Sequence, residues 1–181
     1  MAVATIPEAI GGHVIAGLLG QDYLSTFDLD LDPTRHTLGL YDVSGCAGAF
    51  LPWTGRYTAI PASRPVRNIL LLPVSVDGHP LQAELDSGAS NSVVMAPGML
   101  RLGLAPGGEA MLRGLGRGSV AAHTQHFAAV RIGDETLPGM TMLVAPIHGL
   151  RSVDMLLGAD WLRTRRVWLS WATNQVFVAA Q

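Results

Sequence analysis

Between residues 69 and 95 the chain reads as a strand, a tight turn, a returning strand and a carboxylate on a second tight turn. Residues 69–76 are Ile-Leu-Leu-Leu-Pro-Val-Ser-Val, increasingly β-rich towards the end. Asp77-Gly78 follows, the strongest short-range hairpin signal, because both central residues of a type I′ turn need positive φ. Residues 81–85 return with a period of two, which puts Leu81, Ala83 and Leu85 on one face. Asp86 therefore stands at a strand end. Ser87-Gly88 lets the backbone turn sharply there, with N–H groups directed at the carboxylate, and Ser90 is placed to hydrogen-bond the same loop. By itself Asp-Ser-Gly is only a turn; its position after a hairpin gives it meaning.

The rest of the chain continues the β reading. Residues 92–95 resume a strand, and 97–104 read as a short turn or helix ending at Gly103. Residues 111–120 carry glycines at 114, 116 and 118 between strand-like arms, the pattern of a flexible hairpin tip. Residues 127–132 and 140–144 are further strands joined by a turn at 133–136. Residues 154–158 form a buried apolar strand ending in Gly158, before a short helix that Asp160 caps. Helix is otherwise scarce, so the expected fold is mainly β, a small closed barrel-like lobe with one short C-terminal helix.

Asp86-Ser87-Gly88-Ala89, the Gly-rich tip and Leu156-Leu157-Gly158, in that order, resemble the retropepsin-like aspartic proteases, the one-domain relatives of pepsin. The resemblance covers about residues 69–178. It implies an acid-protease lobe in which Asp86 is the catalytic carboxylate. Ser87, Gly88, Ala89 and Ser90 would form the active-site loop, with Leu156, Leu157 and Gly158 supporting it from a crossing strand. Arg113, Gly114, Leu115 and Gly116 would belong to a flap closing over a peptide or protein substrate. The implied reaction is peptide-bond hydrolysis by a water activated between two Asp residues, with no metal and no cofactor. One such lobe carries one Asp, so the resemblance implies either a homodimer, setting Asp86 against Asp86, or a second lobe. The competing reading is a non-catalytic peptide-binding or dimerisation module of the same fold. A Ser hydrolase is excluded because no Gly-x-Ser-x-Gly elbow occurs.

The chain also resembles itself. Leu18-Leu19-Gly20-Gln21-Asp22-Tyr23-Leu24-Ser25-Thr26 aligns with Leu156-Leu157-Gly158-Ala159-Asp160-Trp161-Leu162-Arg163-Thr164, at an offset of 158 − 20 = 138. Alternating segments follow in both copies. Residues 1–42 are therefore expected to contain the tail of an upstream lobe, residues 43–67 a Gly/Pro/Ser/Ala-rich linker, and residues 68–181 the complete lobe. Asp86 precedes Gly158 by 158 − 86 = 72 positions, which puts the equivalent first Asp outside these 181 residues. Residues 171–178, apolar and terminal, are expected to be interface strand material.

Composition narrows the function classes. The chain is 49% hydrophobic and 14% charged, enough for a real core. A net charge of −2 leaves no footprint for nucleic acid or an anionic membrane. The longest apolar run near the start, residues 14–19, is far short of the ~20 residues a bilayer span needs, and no basic segment makes it a signal peptide. No compartment follows, periplasmic and cytoplasmic being equally open, and single Cys46 builds no disulfide framework within the chain. His123 and His126 read as surface residues of a strand, without a third ligand at metal-binding spacing. Asp28, Asp30 and Asp32 read as the solvated face of an alternating strand. Arg163, Arg165 and Arg166 suit a helix C-terminus, where cations are favoured.

Overall fold

The computed structural model describes residues 9–10, 13–14, 16–17, 19–46, 51–66, 68–108, 110–113, 119–149 and 152–180. Short strands β1 (Ala9–Ile10) and β2 (His13–Val14) pair with each other and precede helix α1 (Gln21–Leu24). There follow β3 (Asp28–Asp32), β4 (Thr37–Tyr41), β5 (Tyr57–Pro61), β6 (Ser63–Val66), β7 (Ile69–Val76), β8 (His79–Leu85) and β9 (Val93–Val94). Helix α2 (Ala96–Leu102) leads to β10 (Ala110–Arg113), β11 (Ser119–Ile132), β12 (Glu135–Val144) and β13 (Met155–Leu157). Helix α3 (Ala159–Leu162) and the hairpin of β14 (Val167–Ser170) and β15 (Gln175–Ala179) complete the order.

Eight strands form one sheet in the order β10-β11-β12-β9-β13-β8-β7-β6, and β11 also pairs with β7, so the sheet curls into a closed lobe. The hairpin at Asp77-Gly78 starts this closure. Both residues take positive φ, 46° and 85°, as a type I′ turn demands. Asp77 also stitches the turn to β11: its N–H donates to Ala129 O at 2.8 Å, and its Oδ1 accepts from Ala129 N at 2.8 Å. The inward faces of these strands fill the lobe with Leu72, Val76, Ala83, Val94, Val144, Met155 and Leu157, each fully buried. Burying a side chain of this kind contributes roughly 1.5–3 kcal/mol. Helix α2 stops at Gly103, whose φ of 66° closes the last turn in the left-handed region.

A second sheet has the order β4-β3-β14-β15-β5, and three features of the fold depart from the sequence expectations. The stretch expected to be a linker supplies two strands: β5 adds to β15 with Ile60 2% exposed, and β6 adds to β7. Its prolines, Pro61 and Pro65, misled the composition argument because edge strands tolerate a missing N–H. Residues 171–178 are no free edge either, since β5 covers β15 and Trp171 is buried in the preceding turn.

Asp28, Asp30 and Asp32 are not solvated; all three are buried. Strand β3 lies inside the sheet, and its carboxylates are met by partners brought from afar. Asp28 accepts from Trp168 Nε1 at 3.1 Å. Asp30 accepts from Trp53 Nε1 at 3.1 Å and pairs with the Arg166 guanidinium, whose Nε lies 2.9 Å from its Oδ1. Asp32 accepts from Thr34 Oγ1 at 2.5 Å and from Arg35 N at 3.2 Å. Buried carboxylates persist only when so satisfied.

Candidate active site

Asp86 leaves the C-terminal end of β8 at the point where β8 runs parallel to β13, with Leu85 opposite Leu157. Its backbone N–H continues that ladder to Leu157 O at 3.0 Å. The chain then turns on itself. Gly88 N donates to Asp86 Oδ1 at 2.8 Å, and Ala89 N donates to Asp86 O at 3.2 Å. The carboxylate is half-buried, while Ser87 and Gly88 are exposed. The Gly88 N–H fixes the orientation of the Asp86 carboxylate through one of its oxygens.

Residues 157–160 lie beneath this loop, held to it largely by side chains to which the sequence reading gave another role or none. Ala159 N donates to Ala89 O at 2.8 Å. Gly158 is buried against the loop so closely that a Cβ there would lie 2.6 Å from Asn91 C and 2.8 Å from Ala89 O. Leu157 is wholly buried and Leu156 partly so. The clasp itself is Ser92 with Asp160. Ser92 N donates to Asp160 Oδ2 at 2.8 Å and Ser92 Oγ to Asp160 Oδ1 at 2.7 Å, while the same Oγ accepts from Gly158 N at 3.0 Å.

Ser90, expected to bond the loop, is exposed; the hydroxyl that ties the loop down stands two residues further on. Asp160 is likewise not the N-cap of α3. Gly158 takes that place, and Asp160, inside the first turn, divides its carboxylate between Ser92 and the Trp161 N–H at 2.9 Å. The signal for Ser92 was present as a hydroxyl residue opening an apolar pair, but nothing local marks it as the partner of a residue 68 positions away.

Glu84 is a second residue the sequence did not single out. It precedes Asp86 by two positions and so shares its side of β8. Burial pushes its carboxyl above the usual 4.5, opposed by the hydrogen bond from Gln21 Nε2 at 3.1 Å and reinforced by the negative charge of Asp86. A cavity of about 320 Å³ opens beside the pair, lined among others by Leu19, Gly20, Gln21, Asp86, Ser87 and Gly88.

The hairpin arms β10 and β11 pair from Ala110 opposite Ala122 to Arg113 opposite Ser119. Arg113 ends β10, while Gly114, Leu115 and Gly116 lie outside the described residues. His123 and His126, three apart on one strand, point to opposite faces and bond separately to Gly107 O and Thr141 Oγ1. Among the described residues no group of three or more His, Cys, Asp or Glu is placed to hold a metal ion. Arg165 Nη1 donates to Trp161 O at 2.8 Å and caps the end of α3, with its guanidinium paired to Glu135. Among the described residues no helix is long and apolar enough to cross a membrane.

Residues 72–161 match the family model described as aspartyl protease. The chain is 28% identical over 116 residues to DNA damage-inducible protein 1 of Eremothecium gossypii, covering 62% of this chain and 23% of that protein. It is 31% identical over 111 residues to the protein of the same name from Cryptococcus neoformans var. neoformans serotype D, covering 59% and 24%. The chain thus spans about a quarter of the length of these curated relatives. Among solved structures it is similar to a retropepsin-like aspartic protease from Rickettsia conorii, with a TM-score of 0.49 and 16% identity, covering 68% of this chain and 89% of that one.

Proposed function

We propose, from the match of residues 72–161 to the aspartyl protease family model, that the chain is an aspartic endopeptidase in which Asp86 supplies one of two catalytic carboxylates. The observation that carries this reading is the seating of Asp86: one oxygen held by the Gly88 N–H, the loop resting on Gly158, and the Ser92–Asp160 clasp fixing both. Such rigidity around a half-exposed carboxylate is what pre-organised acid–base chemistry needs.

The second carboxylate comes from another lobe or subunit. Two carboxylates held close cannot both ionise, so they share one proton. The ionised member takes a proton from a bound water as the water oxygen attacks the scissile carbonyl carbon. The protonated member donates to the carbonyl oxygen as charge develops there. Collapse of the tetrahedral species, with a proton passing to the leaving nitrogen, gives a carboxylic acid and an amine. The pair titrates as a unit, so acidic pH favours activity. Substrate enters as an extended strand beneath the β10–β11 hairpin, its backbone met by main-chain groups.

Hydrolysis of a mixed peptide library from about pH 3 to pH 7, with wild type beside Asp86→Asn, tests the proposal. Acid-favoured cleavage that disappears in Asp86→Asn supports it. A folded protein that binds peptides with a complete second carboxylate in place, yet never cleaves them, would make it the non-catalytic module instead.

A further inference from the structure

Alternate residues of β3 serve different surfaces. Leu29 and Leu31 line the cavity beside Asp86, whereas Asp32 lines a second cavity, of about 380 Å³, on the other face of the strand. This second cavity stands at the end of the five-stranded sheet where β3 turns into β4, β14 begins and β15 ends. Residues 53–56 close its side. Cations converge on it from three separate stretches of chain. Arg35, Arg56, Arg165 and Arg166 all line it, four of the twelve basic residues of a chain whose net charge is −2. Asp32 is the one carboxylate among the described lining residues.

These arginines are not equally engaged. Arg165 is closed off by Glu135, Trp161 O and Thr164 Oγ1. Arg166 is pinned: it gives Nε and Nη2 to Asp30 and lies over Trp53, with Cζ 4.8 Å from the ring centre. Its Nη1 has no acceptor among the described residues. Arg35 approaches Asp32 at 3.7 Å, too far for a hydrogen bond, and its side chain is 75% exposed. Arg56, also exposed, has no ion pair among the described residues. Depth separates the two signs of charge. Asp30 and Asp32 are buried against the sheet with hydrogen bonds already accepted, while Arg35 and Arg56 stand at the mouth. The main-chain N–H groups of Thr54 and Gly55, on the same rim, donate to nothing among the described residues. A solute entering therefore meets donors before it meets a carboxylate.

We propose that this cavity binds a small polyvalent oxyanion, one carrying two or more phosphate or carboxylate groups. The fork of a guanidinium matches the paired oxygens of either group. Arg35, Arg56 and Arg166 reach the cavity from the β3–β4 turn, the segment before β5 and the entry to β14, so their free donors suit more than one anionic group. The volume, roughly a dozen waters at ~30 Å³ each, also exceeds what a single oxyanion fills. The fixed Arg166 receives one group, and the exposed Arg35 and Arg56 close on the other. The site lies on the opposite face of β3 from the Asp86 cavity and does not depend on the peptidase reading.

Calorimetric titration of the whole chain with pyrophosphate and, separately, with citrate tests this, at low salt because exposed charges are screened. The expected result is one-to-one binding of at least one of the two anions. Affinity should fall about 10-fold in Arg56→Gln and further in the double variant Arg35→Gln/Arg56→Gln. Arg56→Lys, which keeps the charge and loses the fork, should recover part of the loss. Arg131→Gln removes an exposed arginine of β11 outside the cavity and should leave the affinity unchanged. Unfolding temperatures of the anion-free variants are expected to match the wild type, since both substituted side chains are exposed, which separates lost binding from lost fold. Binding of pyrophosphate alone supports a phosphate ligand, binding of citrate alone a carboxylate one, and binding of both a site that selects charge and size. No binding of either anion overturns the proposal. So does binding that survives the double substitution, or that Arg131→Gln weakens as much as Arg56→Gln does.

Discussion

Ser92 and Gly158 matter more to this site than their sizes suggest. The Ser92 hydroxyl donates to Asp160 and accepts from Gly158 N, in a place with no room for water to substitute freely. Ser92→Ala leaves Gly158 N without its acceptor and takes one of three donors from the Asp160 carboxylate, and it should cost about 1–3 kcal/mol, read as a shift in the urea midpoint. Gly158→Ala drives a methyl into backbone atoms 2.6–2.8 Å away, and backbone relaxes less readily than a side-chain tip. A loss of roughly 1–3 kcal/mol is expected, with Gly20→Ala, its counterpart in the repeat in open surroundings, as the near-neutral control. Equal losses at the two glycines would show that the loop contact is not the cause.

At the scale of elements, the junction between the two hairpins of the second sheet depends on charge placed where apolar residues usually sit. Asp30 on β3 holds Arg166 at the entry to β14 and Trp53 from the segment before β5. Removing it leaves the Trp53 indole N–H without its acceptor and the partly enclosed guanidinium with only the more distant Asp32 carboxylate, 3.9 Å away. Asp30→Ala should therefore cost about 3 kcal/mol in denaturant unfolding, most of it the penalty of a cation that has lost its hydrogen-bonded partner. Adding Arg166→Met should recover part of that loss, since the poorly paired charge is then gone. A double variant no more stable than Asp30→Ala would mean the carboxylate acts chiefly through Trp53.

For the whole molecule two of the shifted carboxyls, Asp32 and Glu84, pull stability in opposite directions with pH. At Asp32 burial acts to raise the pKa, but the Thr34 hydroxyl, the Arg35 N–H and the charges of Arg35 and Arg166 together hold it below 3.8. The unfolded chain then binds the proton more readily, so this contribution is present above 3.8 and lost as pH falls through the folded value. Glu84 behaves oppositely. Its raised folded pKa makes the native state the better proton binder, so its contribution is present below 4.5 and lost as pH rises through the folded value. Equilibrium unfolding followed from about pH 3 to pH 7 should show a falling arm above 4.5 that Glu84→Gln flattens. An arm unchanged in Glu84→Gln would assign it to another group. The direction suits a site that works in acid, because a protonated Glu84 removes negative charge beside Asp86.

The local chemistry of the chain was enough to determine the β7–β8 hairpin, the turn after Asp86 and the Gly103 helix stop. Each depends on residues a few positions apart: positive φ at Asp77-Gly78 and at Gly103, a period of two along residues 81–85, and the Gly88 N–H on Asp86 Oδ1. The internal repeat was legible too, since it is a property of the letters alone. Tertiary structure decided what happens between distant positions. Burial of Asp28 depends on Trp168, 140 positions away, and the Ser92 clasp on Asp160, 68 away. Residues 57–66 become strands only because β15 and β7 offer them edges to pair with. Hydrogen-bonding capacity is written in each side chain, but the partner that satisfies it is chosen by which elements the fold brings together.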